Sequence, residues 1–373
     1  MEVLLENFNY ITWQMLVMWA IGGVLIYLAI AKEMEPTLLL PMGFGAILVN
    51  LPIALPDTGV QHVLNTLFSI GIEGAELFPL MLFIGIGAMI DFTPLLTNPK
   101  LMIFGAAAQF GIFFTLAAAS LLGFDIQDAA SIAIIGAADG PTSIFVATEL
   151  GSKYLGAIMV AAYSYMALVP LVQPPIIKLC TTKAERKIKM QYKGKPVSKL
   201  TKILFPIVVT IIVGLVAPDA VALIGFLMFG NLIRECGVMS SISETAQNAL
   251  ANLITIFLGI TIASQMKAAD FLQLDTLIII GLGLFAFIFD TIGGVMVAKV
   301  MNLFSKEKIN PMIGAAGISA FPMSARVVHK MGLEEDNQNF LLMHSIGVNV
   351  SGQIASVIAG GLILALVKAM IGG

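Results

Sequence analysis

The sequence predicts an all-α polytopic membrane protein, an inverted repeat of two five-crossing halves whose broken or re-entrant segments meet at the midplane. Three observations carry that reading: extreme hydropathy, an internal duplication, and two apolar stretches too interrupted to be plain helices. Of 373 residues, 58% are hydrophobic and 12% charged, and the mean hydropathy is +0.95. Soluble domains carry about 25% charged residues, so most of this chain takes lipid as its solvent.

A helix needs roughly 20 apolar residues to cross about 30 Å of hydrocarbon. Such stretches fall at 13–31, 36–54, 77–95, 99–122, 154–179, 203–218, 219–235, 249–266, 275–298 and 339–370, which makes about ten crossings. The first dozen residues carry Glu2 and Glu6 instead of a basic leader region, so the first span is expected to be a permanent anchor. Two further stretches, 129–148 and 309–327, are apolar but interrupted by Gly, Pro, Ser, Thr and Asn. Cys180 and Cys236 have no histidines at metal-ligand spacing and are expected to be small buried residues. No phosphate loop, zinc motif or Ser-His-Asp pattern occurs, and nothing points to nucleic acid. The three histidines fall near predicted span ends and read as structural or solvated, and the 21 methionines as packing residues.

Self-comparison locates the duplication. "IGAAD" at 135–139 recurs as "IGAAG" at 313–317, an offset of 178. "MGFGAILVNL" at 42–51 is echoed by "IGFLMFGNLI" at 224–233, and "FIGIGAMI" at 83–90 by "FLGITIAS" at 257–264. "VPLVQ" at 169–173 faces "VNVSGQ" at 348–353. Four weak matches in the same order at nearly one offset divide the chain into a first repeat at 1–180, a basic linker at 181–202 and a second repeat at 203–373.

Charge gives orientation. The linker holds Lys183, Arg186, Lys187, Lys189, Lys193, Lys195, Lys199 and Lys202 against Glu185, which places it in the cytoplasm. Lys32, Lys100, Lys299, Lys306, Lys308, Arg326 and Lys330 fall on the same side if both interrupted segments dip in without crossing, and the acidic "LPDTG" and "FDIQD" connections fall outside. Each half then has five crossings. An odd number inverts the second half, as in transporters whose broken elements meet at a central site. Whether the two segments are hairpins or kinked crossing helices is left open by the sequence.

The stretch "IIGAADGPTSIF" at 134–145 sets Asp139 among small and apolar residues. A carboxylate in hydrocarbon costs about 2.5–3.5 kcal/mol on insertion scales and calls for a partner or a task. Gly136 and Gly140 permit tight turns and Pro141 removes a backbone donor. Freed carbonyls, the carboxylate, and the Thr142 and Ser143 hydroxyls form hard oxygen ligands that suit Na⁺. The mirror segment offers Asn310, Ser319 and Ser324 but no acid; if the halves meet, Asn310 and Ser319 complete a shell around the ion that Asp139 anchors. Tyr165, Asn349, Ser351 and Gln353 lie inside the spans that follow, with Asn349 the costliest to bury and Tyr165 readable as packing or function. Asp91 and Asp290 are expected near span ends, in packing or interface roles. Periodicity and composition fit a stand-alone Na⁺/H⁺ antiporter or Na⁺-coupled organic-anion transporter as well as any other ion-coupled machine.

"GAADGPTSIFVAT", "YSYMALVPLVQPPI", "NPMIGAAGISAFPMSARV" and "NVSGQ", with "GIGAMIDF" and "FDTIGGV", together resemble the β subunit of the Na⁺-translocating biotin-dependent decarboxylases over essentially the whole chain. The resemblance implies a translocase subunit that decarboxylates carboxybiotin on a separate biotin carrier protein, exports Na⁺ and consumes a proton. It implies that Asp139 is the Na⁺-binding, proton-exchanging acid. Asn310, Gly314, Ser319, Tyr165 and Asn349 would take part in ion binding or coupling, with Thr142 beside the acid, and Arg326 would lie near the route of carboxybiotin. The implied partners are a carboxyltransferase (α) subunit, the biotin carrier and a small membrane-anchored subunit, and the implied assembly is a homotrimer. Oxaloacetate, methylmalonyl-CoA, glutaconyl-CoA and malonate enzymes share this subunit type; the compact length leans towards an acyl-CoA enzyme, methylmalonyl-CoA first.

Overall fold

A computed structural model describes residues 6–52, 59–74, 76–191, 194 and 196–372. Expectations for Glu2, most of the "LPDTG" connection, Lys193 and Lys195 lie outside the described residues. The described chain is helical, with no strand. Its principal helices are α1 (Trp13–Ala31), α2 (Pro36–Val49), α3 (Val60–Phe68), α4 (Leu77–Met89), α5 (Met102–Ala107), α6 (Phe110–Leu121), α7 (Ile126–Ala133), α8 (Gly140–Glu149) and α9 (Leu155–Cys180) in the first half. The second half has α10 (Lys199–Val216), α11 (Val221–Cys236), α12 (Ser240–Thr245), α13 (Ala251–Ala263), α14 (Leu274–Phe304), α15 (Met323–Glu335) and α16 (Leu342–Gly372).

Every apolar stretch marked in the sequence contains a helix, but not every one is a span by itself. Among the described residues seven helical segments are long and apolar enough to cross a membrane, with an eighth if the bent pair ending at α4 counts as one. The other two expected crossings, 36–54 and 219–235, yield helices of 14 and 16 residues. At 1.5 Å per residue these reach only about 21–24 Å. Much of their apolarity serves burial inside the bundle: Leu38, Leu39, Met42 and Ala46 of α2 and Leu223, Ile224 and Leu227 of α11 are fully covered.

Several local features of the first half recur in the second. A single π-helical turn joins α3 towards α4 at Ser69–Glu73, and another joins α12 to α13 at Ala246–Leu250. Short 3-10 stretches stand in the two interrupted segments, at Ile134–Ala137 and Pro311–Gly317. The matched sequences pack crosswise, and glycines make the close approach. A Cβ on Gly87 of α4 would fall 1.9 Å from the Leu227 carbonyl oxygen of α11, and one on Gly230 of α11 would fall 2.1 Å from that of Ile84 in α4. Likewise a Cβ on Gly45 of α2 would meet Ala263 of α13 at 2.5 Å, and one on Gly259 of α13 would meet the Leu38 carbonyl of α2 at 3.0 Å. Small residues at such crossings let backbones come together where lipid offers no hydrophobic drive.

Polar groups gather at two ends of the bundle, separated by the lengths of α9, α14 and α16. At one end the linker residue Arg186 pairs with Glu335, Lys299 donates to the Cys180 carbonyl at 3.0 Å, and Lys202 lies 3.8 Å from both Asp91 and Glu235. At the other, Lys153 pairs with Asp125 and Asp128, Tyr154 donates to Asp275 at 2.8 Å, and Lys368 bridges Glu149 and Asp219. Cys180 and Cys236, expected to be buried, are free thiols only partly covered, because both terminate helices at the linker end.

Candidate cation site

The question of hairpin against crossing helix is answered by where each interrupted segment begins and ends. The first starts at α7 and finishes after α8, and there the Ser152 hydroxyl donates to Asp128 at 2.8 Å, so both ends lie at the end of the bundle away from the linker. The second begins at Asn310 and ends after α15. Asn310 and Asn339 each donate to the Arg186 carbonyl at 2.9 Å, so its two ends are tied at the linker. The tips meet inside, where the Ser319 backbone N–H donates to the Ala137 carbonyl at 2.9 Å.

At the first tip the chain leaves its 3-10 turn through Ala138, whose φ of 52° is left-handed, and this reverses the backbone so that Asp139 caps α8. A non-glycine residue held there costs of order 1 kcal/mol, a strain typical of functional sites. Pro141 occupies the first turn of α8, where its missing N–H is no loss. The Asp139 carboxylate is 3% exposed and accepts the Thr142 N–H at 3.3 Å through Oδ1. Through Oδ2 it accepts the hydroxyls of Thr142 at 2.8 Å, Ser356 at 2.8 Å and Ser319 at 3.2 Å. Ser319 and Ser356 are also 2.6 Å apart, and Gln353 donates to Ser319. Helix N-terminal dipole and hydroxyl donors therefore surround one buried anionic group. One carboxylate among neutral oxygens matches a monovalent hard cation, and no cluster of three or more His, Cys, Asp or Glu that would suit a heavier metal exists among the described residues.

The expected site residues divide accordingly. Asp139, Thr142 and Ser319 converge. Asn349 donates its amide to the carbonyl of Ile318, so it orients the residue before Ser319, and its buried Oδ1 has no partner among the described residues. Asn310 is held elsewhere. Its amide donates to the linker carbonyls of Arg186 and Ile188 at 2.9 Å and its Oδ1 caps Met312, so its polar atoms are committed at the stem. Gly314 is a packing position, since a Cβ there would fall 2.0 Å from the Gly294 carbonyl of α14. Tyr165 donates to the Ile280 carbonyl of α14 rather than to the Asp139 cluster. Arg326 stands exposed on α15.

Asp290 departs from its expected place near a span end. It sits in the middle of the 31-residue α14, fully buried, and Oδ1 accepts the Gly111 N–H at the start of α6. Its role is to cap another helix across the bundle, beneath Gly136 of the first re-entrant tip. Asp91 does lie at a span end, where it accepts from Thr93 at the linker side. Ser356 was missed, although a signal existed: Asn349, Gln353 and Ser356 recur at i, i+4 and i+7, one face of a helix.

The sequence matches the family model of the Na⁺-transporting oxaloacetate decarboxylase beta subunit over residues 14–367. The chain belongs to this family. Among its relatives is the methylmalonyl-CoA decarboxylase subunit beta of Veillonella parvula, 51% identical over 94% of this chain and 93% of the relative. The glutaconyl-CoA decarboxylase subunit beta of Acidaminococcus fermentans is 50% identical over 97% and 96%. The oxaloacetate decarboxylase beta chain of Haemophilus ducreyi is 45% identical over 97% of each. Membership makes the chain a multi-pass membrane β subunit of the Na⁺-transporting decarboxylase type, consistent with its seven long apolar helices.

Proposed function

We propose that this chain decarboxylates carboxybiotin presented by a separate carrier protein and couples that reaction to Na⁺ export, with a proton consumed by way of Asp139. The observation that carries the reading is the Asp139 carboxylate, sealed between two re-entrant tips and met by hydroxyls from α8, the second tip and α16. A site assembled from three separate elements changes its affinity if any of them shifts, which is what alternating access requires.

In this reading the two halves are an inverted repeat with boundaries at 1–180 and 203–373. The crosswise glycine packing and the re-entrant segments anchored at opposite ends support it. The linker end is cytoplasmic. Na⁺ enters from there to Asp139⁻, with Thr142, Ser319 and Ser356 as neutral oxygen ligands. Asn349 supports the second tip through the Ile318 carbonyl, Gly314 packs the second segment against α14, Tyr165 ties α9 to α14, and Asn310 anchors the second segment to the linker. Carboxybiotin supplies the bond whose cleavage drives the cycle. Arg326, exposed on α15, is suited to receive its carboxylate, because a guanidinium binds planar anions through paired donors. A proton reaching Asp139 from the outer side then displaces Na⁺. The partners are a carboxyltransferase (α) subunit, the biotin carrier and a small membrane-anchored subunit, around a trimer of this chain in the cell membrane.

An acyl-CoA is the favoured substrate of the complex, methylmalonyl-CoA first. The alignment to the Haemophilus ducreyi oxaloacetate chain runs over 422 positions, more than the 373 residues here, and so needs inserted segments. Those to the methylmalonyl-CoA and glutaconyl-CoA relatives named above run over 352 and 364.

Asp139→Asn tests the core of the proposal. The assembled complex carrying it should lose both Na⁺ uptake into inverted vesicles and Na⁺-dependent release of CO₂ from carboxybiotin. Retained Na⁺-dependent decarboxylation would falsify the assignment.

A further inference from the structure

The tyrosine pair "YSY" at 163–165 offers two hydroxyls to the bundle interior, and α9 turns them to different neighbours. Tyr165 reaches a carbonyl of α14. Tyr163 is fully buried, and its hydroxyl has no hydrogen-bond partner among the described residues. Leaving a buried hydroxyl unmatched is costly, which points to a partner supplied in another state of the protein. Its position supplies one. A Cβ on Gly140 would fall 2.3 Å from the Tyr163 ring carbon that bears the hydroxyl, so that edge of the ring lies against the backbone of the residue following Asp139. Within the site, Oδ2 accepts three hydroxyls while Oδ1 accepts one long N–H contact, so the carboxylate is unevenly served.

We infer that Tyr163 is a further ligand of the cation site, supplying a neutral phenolic oxygen to the ion bound at Asp139. Na⁺ takes hard oxygen donors, and a phenol held by a helix supplies one without adding charge. Binding of the ion satisfies a lone pair that is otherwise sealed from water, so occupancy repays the cost of burial. Gly140 is required for this: any side chain there would push the ring off the backbone beside Asp139. The inference rests on the proposed function of the site, and two variants tell the two apart.

The test uses the assembled complex in detergent and in vesicles. Thermal unfolding is followed with and without saturating Na⁺, together with the Na⁺ dependence of decarboxylation. In Tyr163→Phe the midpoint without Na⁺ should equal or exceed that of the wild type, because only an unmatched hydroxyl is removed. The upward shift produced by Na⁺ should shrink, and the Na⁺ concentration for half-maximal rate should rise at least tenfold, by a larger factor than any fall in maximal rate. A Tyr163→Phe complex with wild-type Na⁺ stabilisation and wild-type half-saturation overturns the role of Tyr163. Asp139→Asn keeping full Na⁺ stabilisation overturns the site itself.

Discussion

A single carboxylate beside Thr142, Ser319 and Ser356 defines the chemistry available at the residue scale. Oδ2 of Asp139 lies within hydrogen-bond distance of all three hydroxyls, and each hydroxyl oxygen has lone pairs with which to face a cation. Ser356 links Asp139 to Ser319 and so joins both tips to α16. Removing one such hydrogen bond to a charged group costs about 1.5–3 kcal/mol. Ser356→Ala should therefore raise the Na⁺ concentration for half-maximal decarboxylation by about tenfold or more. The Gln353 amide still orients Ser319, so the complex should remain assembled. Wild-type Na⁺ dependence in that variant would remove Ser356 from the site. Asp139 itself was legible in the sequence because a carboxylate in hydrocarbon is costly wherever it sits. Tyr163 was not, since an aromatic on an apolar helix is normally core, and only its coordinates reveal an unmatched hydroxyl at Gly140.

At the scale of elements, the second re-entrant segment is held by its stems. Arg186 accepts amides from Asn310 and Asn339 on its carbonyl, and its guanidinium pairs with Glu335 while also donating to the Thr181 carbonyl at 2.7 Å. Lys189 adds a pair to Asp336 at 3.0 Å. The hydrogen bond from Arg186 holds the Glu335 carboxyl below the usual carboxylate range, and the Gln338 N–H does the same for Asp336. Carboxyls lowered in the folded state contribute fully above their ordinary values and lose that contribution as pH falls through the lowered ones. The tie is thus complete at neutral pH and opens only below about pH 4, the ordinary carboxylate range. Limited proteolysis of the linker should accelerate below that pH in the wild type. Glu335→Gln should already show the faster cleavage at pH 7, together with weaker Na⁺ stabilisation, because Ser319 lies on the loosened segment. Equal cleavage rates for both proteins at pH 7 would show that the pair does not hold the stem. Sequence reasoning placed Asn310 at the ion together with Ser319, as oxygen ligands of the mirror segment. It failed for Asn310 because nine residues of mostly 3-10 backbone, a fold with about 2 Å rise per residue, carry the stem far from the tip.

At the scale of the whole molecule, the polar residues separate into two ends. One contains the linker, Asp91, Glu235 and the stems of the second re-entrant segment; the other contains Asp125, Asp128, Lys153, Asp219 and Lys368. The proposed orientation makes the first cytoplasmic. In a variant lacking Cys180 and Cys236, a membrane-impermeant thiol reagent added to intact cells should label Lys153→Cys but not Lys189→Cys. Inverted vesicles should give the opposite pattern. Labelling of both from one side would refute the arrangement in which the two re-entrant segments enter from opposite faces.

The sequence alone determined the solvent of this protein and its helical class, and it singled out one acid for attention. Hydropathy, repeat spacing and the expense of a buried carboxylate are local properties that survive without coordinates. Tertiary structure decided what those properties cannot carry. Ten apolar stretches became seven long spans and three shorter or bent elements, because burial inside protein and exposure to lipid select the same apolar side chains. Both interrupted segments became hairpins because of hydrogen bonds between residues 24 apart in one case and more than 120 in the other. The hydroxyls that meet Asp139 likewise come from Ser319 and Ser356, 180 and 217 residues away, and no spacing rule reaches across such distances.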